Sequence, residues 1–276
     1  MKLLKILLIT SIFSIAAQAF IIIKPKSIEE AKKTEVKISL GGEKSKGNEN
    51  YQNMKVGAYV SFGNGETYKN LIIGSYKFQE TNDIRSVNKG LVHYRHTRKA
   101  SKNTDNEYFI QDEFDEFTNE KNRFLVGYNK RLQISLISKK TYLGNGILYS
   151  HILPLDTKND KKQVNARLNL YLISTVDVAE HTTLSGLVFY QPSLYNFETG
   201  ESVDFTNFKV NSRVSLENKI TKSLSIEIGA IYNYNSTPFT GIVKEDFKTS
   251  IEINYKIPVE WLFFYFFCYN RIKKVG

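Results

Sequence analysis

The residues best suited to chemistry in this sequence are its histidines and the serine beside one of them. His93 and His96 are three positions apart, so on a β-strand they face opposite sides and cannot share a metal ion. Ser150 and His151 are adjacent and diverge in the same way, and no Gly-x-Ser-x-Gly motif offers a serine nucleophile on a sharp turn. We therefore predict that these histidines, and His181, are structural and that the protein is not an enzyme.

An acidic cluster and two glycine-rich segments are the remaining candidates for a ligand site. The cluster has carboxylates at positions 112, 113, 115 and 116. Such groups can bind calcium, but this spacing does not match an EF-hand, so we expect a solvated loop end. The Gly-Asn-Gly segments at 63–65 and 144–146 lack the Lys-Ser/Thr of a phosphate-binding loop. The sequence predicts no metal and no other cofactor, and the single cysteine, Cys268, excludes a disulfide scaffold.

The elements that must position these groups are β-strands. Between Val164 and Leu172, apolar residues occupy every second position, which puts apolar side chains on one face and polar ones on the other. Turn residues divide the region from 34 to 257 into about twelve such strands, with ten or fourteen also possible. Gly41-Gly42 and Gly47-Asn48 are expected to close the first strand. The predicted spans are 34–41, 51–62, 67–79, 84–98, 106–117, 121–131, 133–151, 163–177, 181–191, 204–217, 222–235 and 246–257.

The amino terminus has the pattern of an export signal. Lys2 and Lys5 precede an apolar run, and Ala17-Gln18-Ala19 matches a cleavage site. We interpret residues 1–19 as a signal peptide rather than a membrane anchor, and residues 20–33 as a short lead-in. After residue 23, no stretch approaches the ~20 apolar residues of a spanning helix. These features exclude a helical membrane protein.

An exported all-β chain of this kind is predicted to be an outer-membrane barrel. A soluble sandwich or a lipocalin-like cup also has an apolar face, but long hairpin-connected strands favour closure, which removes every sheet edge. Seven aromatic residues near strand ends could form the girdle that meets lipid headgroups. They are Tyr149, Tyr171, Tyr190, Tyr195, Phe197, Tyr232 and Tyr234. The predicted fold is an antiparallel up-and-down transmembrane β-barrel at 34–257.

Charged residues on the polar face should point into the lumen, because an Arg or Lys facing lipid at the midplane costs ~2–4 kcal/mol. The basic candidates are Arg85, Lys89, Arg95, Arg123, Arg131, Arg167, Lys209, Arg213, Lys248 and Lys256. The acidic candidates are Glu217, Glu227 and Glu252. The excess of positive charge indicates a preference for anions, although a basic lumen can equally be a closed plug of salt bridges.

Several short motifs resemble those of the YdiY-like, salt-induced outer-membrane protein family (domain of unknown function 481). The resemblance rests on an opening Gly-Asn turn at 44–48, a central hairpin at 112–117 and 122–128, a Gly-x-Gly segment at 142–146 and a closing strand at 247–255. It implies an outer-membrane barrel without naming a substrate. The aromatic and basic tail at 258–276 departs from the usual ending, and it is interpreted as a frame change rather than an interfacial anchor.

The leading functional prediction is a structural or stress-related outer-membrane barrel of a Gram-negative bacterium with a narrow or plugged basic lumen. The alternatives are a porin-like channel for small anionic solutes and, least favoured, a barrel hydrolase. The predicted partners are outer-membrane lipid, the barrel-assembly machinery and small anionic solutes. No nucleic acid is expected, because the basic residues are spread over many strands without a recognition helix.

Overall fold

Twelve antiparallel strands form the protein in a computed structural model, which describes residues 28, 34–45, 51–134, 137–138 and 140–257. The strands are β1 Glu35–Ser45, β2 Tyr51–Gly63, β3 Tyr68–Thr81, β4 Ile84–Ser101, β5 Thr104–Asp115, β6 Glu120–Gln133, β7 Lys140–Pro154, β8 Gln163–Ala179, β9 Thr182–Asn196, β10 Ser202–Lys219, β11 Leu224–Asn235 and β12 Glu245–Ile257. A short 3-10 helix, Glu116–Thr118, follows β5. The predicted signal peptide, the tail at 258–276 and all of the lead-in except Ile28 lie outside the described residues.

The strands close into a single barrel in which each pairs with its sequence neighbours and β1 pairs with β12. The closing seam joins three residue pairs, from Val36 opposite Ile257 to Ile38 opposite Tyr255. We call the end of the barrel that carries Glu35 and Ile257 the terminal end, and the other end the loop end. No helix among the described residues is long and apolar enough to cross a membrane.

The predicted twelve-strand closed barrel is confirmed, with three corrections to strand bounds. β9 continues to Asn196 and does not end at 191. Gly41 and Gly42 do not end β1, because they pair in register with Lys55 and Met54 and the strand continues to Ser45. β7 begins at Lys140 rather than at 133. At its start, the Thr141 hydroxyl accepts from the backbone N–H of Ser138 at 3.1 Å.

The two faces of the wall differ sharply in polarity. Apolar side chains such as Val126 on β6, Ile228 on β11 and Ile251 on β12 are exposed on the outside. Charged and amide side chains at the alternate positions, such as Arg131 and Asn169, are buried inside. The strand period of two therefore separates an apolar exterior from a polar interior.

Candidate functional site: the barrel interior

Most of the predicted lumen-facing cations lie in the interior. Arg213 is half-buried. The buried ones are Lys89, Arg95, Arg123, Arg131, Arg167, Lys209 and Lys248. Only the backbone of Lys256 is described, so the placement of its side chain stays a prediction.

Arg85 lies elsewhere, on the exposed rim at the loop end. The register of β3 and β4 shifts between Gln79 and Glu80, which changes the alternation beside Arg85. Its Nη1 is 2.9 Å from Oε2 of Glu116, and Asn88 donates to the same oxygen at 2.8 Å. Hydrogen bonds from Asn88 and Arg85 lower the pKa of the Glu116 carboxyl, which sits in the short helix after β5. Arg85 thus belongs to a rim contact and not to the lumen.

A buried ionic group occupies the interior toward the terminal end, and we call it the Glu107 cluster. The side chains of Glu107 and Arg131 have no exposed area, and Nη1 of Arg131 lies 3.1 Å from Oε1 of Glu107. Arg95 approaches the same carboxylate at 3.9 Å, and Asp105 lies 2.6 Å from Arg131. The hydroxyl of Tyr171 donates to Glu107 at 2.5 Å. Paired charges and hydrogen bonds are what make such burial tolerable.

Tyr171 reaches this cluster because of a glycine on the neighbouring strand. It pairs in register with Gly144, and a Cβ at that position would overlap the tyrosine ring. The prediction of a girdle position for Tyr171 is therefore wrong, since the ring is buried in the interior. Four of the other predicted girdle residues do lie on the exposed surface: Tyr149, Tyr190, Tyr195 and Phe197.

An apolar cluster crosses the interior next to the Glu107 cluster. Its members come from β7, β8, β9 and β11, so it joins strands that are not neighbours in the wall. They are Tyr142, Tyr171, Ile173, Leu187 and Ile231. Because β11 lies three strands beyond β8, this packing fills part of the lumen rather than lining it.

The acidic cluster after residue 111 is not a solvated loop end, so that prediction is wrong for Glu113 and Asp115. Both are buried in the interior because β5 continues to Asp115 and its alternate residues face inward. Glu113 lies 2.9 Å from Arg123, and Asp115 lies 3.4 Å from Lys89. Sequence reasoning also missed Glu107 and Glu120 as interior acids. The signal that could have found Glu107 is its position on the face of β5 opposite to Tyr108 and Ile110, which are exposed on the outside.

A cavity of about 310 Å³ lies along the opposite side of the interior, where β1–β4 and β10–β12 contribute most of the lining. Two of the predicted acidic residues line it: Glu227, 2.7 Å from Arg213, and Glu252, 2.9 Å from Lys55. The third, Glu217, is half-buried and accepts a hydrogen bond from Ser225 at 2.7 Å. The cavity is therefore lined by charges of both signs.

A loop lies over the mouth at the loop end. The β11–β12 connection, residues 236–244, buries Phe239 and is tied to the β7–β8 connection through Asp160. The carboxylate of Asp160 accepts from the backbone N–H and the hydroxyl of Thr240 at 3.0 and 2.9 Å. Asn119 donates to its other oxygen at 2.6 Å. Asp160 thus joins three loops at this end.

The histidines and the serine that were considered as catalytic or metal-binding candidates do not come together in the structure. His93 is buried and its Nδ1 lies 2.9 Å from Oε1 of Gln111, whereas His96 contacts Asn70. Ser150 is buried in the interior, and His151 occupies the alternate face of β7. Among the described residues, no group of histidine, cysteine or acidic side chains could hold a metal ion.

A closed barrel with an apolar exterior and a charged interior defines the class of membrane-type β-barrel proteins. Within that class, residues 38–257 match the family model described as "Protein of unknown function, DUF481", and the chain belongs to this family. The family resemblance inferred from the motifs is thereby confirmed.

Solved structures of low similarity also align with the chain. A structure titled "NanC porin structure in rhombohedral crystal form" is 12% identical with a TM-score of 0.43, covering 82% of this chain and 98% of that one. A second, titled "Unveiling the Mechanism Behind the in-meso Crystallization of Membrane Proteins", is 8% identical with a TM-score of 0.39, covering 81% and 82%. No curated protein matches the sequence.

Proposed function

We propose that this chain is a non-enzymatic outer-membrane barrel of a Gram-negative bacterium, with a structural or stress-related role and an obstructed lumen. Its exterior would contact outer-membrane lipid, and its insertion would require the barrel-assembly machinery. The apolar outer face supports a membrane location, because a soluble barrel exposing residues such as Ile228 and Ile251 around its wall would associate through them.

The observation that carries the obstructed lumen is the packing across the interior. The apolar cluster links Ile231 on β11 to Tyr142 on β7, and Lys209 on β10 reaches Glu120 on β6 at 3.7 Å. The cluster extends from β7 to β11, and the Lys209–Glu120 pair joins strands separated by three others, so side chains of strands that are not neighbours meet in the interior. The loop at 236–244 adds a cover at the loop end. A barrel filled in this way resists the bulk flow of water and ions.

Conductance of the purified barrel in a planar lipid bilayer tests the proposal. We expect insertion without stepwise currents in concentrated salt, since the packing across the interior would interrupt a continuous aqueous path. Insertion is checked independently by the protection of the strands from protease in vesicles. Stepwise, anion-selective currents would overturn the obstructed lumen and establish the second candidate.

That second candidate is a channel for small anionic solutes, and a specific observation favours it. Six cationic side chains line the cavity, against five carboxylates. The cations are Lys37, Lys55, Lys77, Lys89, Arg213 and Lys248. A positive excess in a low-dielectric cleft concentrates anions. The bilayer measurement separates the two candidates because only the second requires the cavity to connect both ends.

A further inference from the structure

A row of polar side chains crosses the apolar outer face near the terminal end. Arg98 on β4 is the register partner of Asn106 on β5. Asn106 is also the partner of Lys130 on β6, and Lys130 is the partner of Asn145 on β7. The row faces outward, since Lys130 is exposed whereas the next residue, Arg131, is buried inside. Register partners on one face have Cβ atoms about 4.5–5.5 Å apart, so these four residues, which we call the outer polar row, are direct neighbours.

A line of aromatic rings runs beside the outer polar row, two residues farther from the terminal end. The ring centroids of His96 and Tyr108 are 6.4 Å apart, and those of Tyr108 and Tyr128 are 5.2 Å apart. Tyr68 stacks on His96 at 6.2 Å. Rings on the outer face of a membrane barrel lie at the level of the lipid headgroups. The outer polar row, ~7 Å nearer the terminal end along the strands, therefore lies at headgroup level too.

The two cations of the row have no counter-charge on the protein. Neither Arg98 nor Lys130 forms an ion pair within the part of the chain that the structure describes. The carboxylates nearest in the chain, those of Asp105 and Glu107, face inward and pair with Arg131. Charged groups next to apolar surface are tolerated when they are paired, so the missing negative charge has to come from outside the chain.

An amide between the two cations can donate to the same anion. The hydroxyl of Tyr128 donates to Oδ1 of Asn106 at 3.0 Å, which leaves the Nδ2 group of Asn106 to donate elsewhere. Arg98 and Lys130 are two strand spacings apart, about 10 Å between backbones. Their long side chains can both reach an anion that lies over Asn106.

The lengths of the connections indicate which leaflet the row meets. The two longest connections between described strands, residues 155–162 and 236–244, lie at the loop end. In outer-membrane barrels the long loops are extracellular and the short turns are periplasmic. The terminal end, and the outer polar row with it, would therefore face the periplasmic leaflet.

We propose that the outer polar row binds the headgroup phosphate of an anionic glycerophospholipid in the periplasmic leaflet. The guanidinium of Arg98 and the ammonium of Lys130 pair with the phosphate oxygens, and Asn106 donates a hydrogen bond to them. The acyl chains follow the apolar outer wall, where Ile110 and Val126 are exposed. Two neighbouring cations favour a lipid with net negative charge over a zwitterionic one. The inference rests on the proposed membrane location and deepens it by naming the lipid class.

Fluorescence quenching by brominated lipids tests the row, because it reports which lipid contacts a single tryptophan. The reporter is Ile147→Trp, at the exposed register partner of Tyr128 beside the row, combined with Trp261→Phe to remove the native tryptophan. In mixed vesicles, we expect brominated phosphatidylglycerol to bind there about fivefold more tightly than phosphatidylcholine. The double variant Arg98→Gln/Lys130→Gln should lower this preference below about twofold, and each single variant should lose part of it.

Two controls separate a site from a general attraction to anionic membranes. Lys222→Gln removes the same charge from the turn between β10 and β11 at the same end, and it should leave the preference unchanged. A second reporter, Leu216→Trp on the apolar outer face of β10, should show no preference.

Three outcomes would overturn the site: no preference at Ile147→Trp with the row intact, equal preferences at the two reporters, or an equal loss in Lys222→Gln and Lys130→Gln. Quenching by neither brominated lipid would instead contradict the membrane location. Failure of the lipid site is therefore distinguishable from failure of the proposed function.

Discussion

Replacing Glu107 by glutamine should destabilise the barrel far more than an equivalent change in an exposed ion pair. The glutamine keeps the shape of the side chain and an acceptor for Tyr171, but it leaves the buried guanidinium groups of Arg131 and Arg95 without their shared carboxylate. Removing one partner of a buried pair costs about 3–5 kcal/mol. Because Asp105 still pairs with Arg131 at 2.6 Å, we expect the lower value, about 3 kcal/mol.

The matched control is Asp177→Asn, which removes a carboxylate from an ion pair of similar length. Asp177 lies 3.0 Å from Lys140, but the two side chains are 59% and 48% exposed. Exposed pairs contribute at most about 1 kcal/mol. Urea unfolding in lipid vesicles, followed by far-ultraviolet circular dichroism, measures both variants. Equal destabilisation of the two, within about 0.5 kcal/mol, would refute the reasoning that the Glu107 cluster is a desolvated electrostatic unit.

Three further predictions concern the outer surface of the barrel, the loop at 236–244 and the contact of Tyr171 with Gly144. Ile228→Arg, near the middle of β11 on the outer face, should lower the free energy of unfolding in vesicles by about 2–4 kcal/mol. Ile84→Arg at the rim should lower it by at most about 1 kcal/mol. Equal losses in the two variants would contradict the lipid-facing assignment. Asp160→Ala should speed trypsin cleavage within 236–244, because it removes the carboxylate that accepts two hydrogen bonds from this loop. An unchanged cleavage rate would show that the carboxylate does not hold the loop in place. Gly144→Ala should cost about 1–3 kcal/mol by overpacking against the tyrosine of the Glu107 cluster, and wild-type stability would contradict that close contact.

The strand pattern and the faces of the strands could be read from the sequence because they depend on local properties. Alternation along Val164 to Leu172 assigns each side chain to one of two faces, and turn residues between runs give the number of hairpins. The inward placement of Arg131 and Arg167 follows from the same alternation. The errors at Gly41-Gly42 and Arg85 arose where pairing with a neighbouring strand overrode a local signal: a register match in the first case and a bulge in the second.

The partners inside the barrel were decided by tertiary structure alone. Alternation states that Glu107 and Arg131 point inward, but the stagger of β5 against β6 decides that they meet. The absence of a side chain on Gly144 decides that Tyr171 reaches them. Likewise, Lys55, Lys77 and Lys89 lie directly beside one another only because β2, β3 and β4 pair in this register. The physical reason is that a period of two determines direction, whereas position around and along a closed cylinder depends on the register of every strand pair.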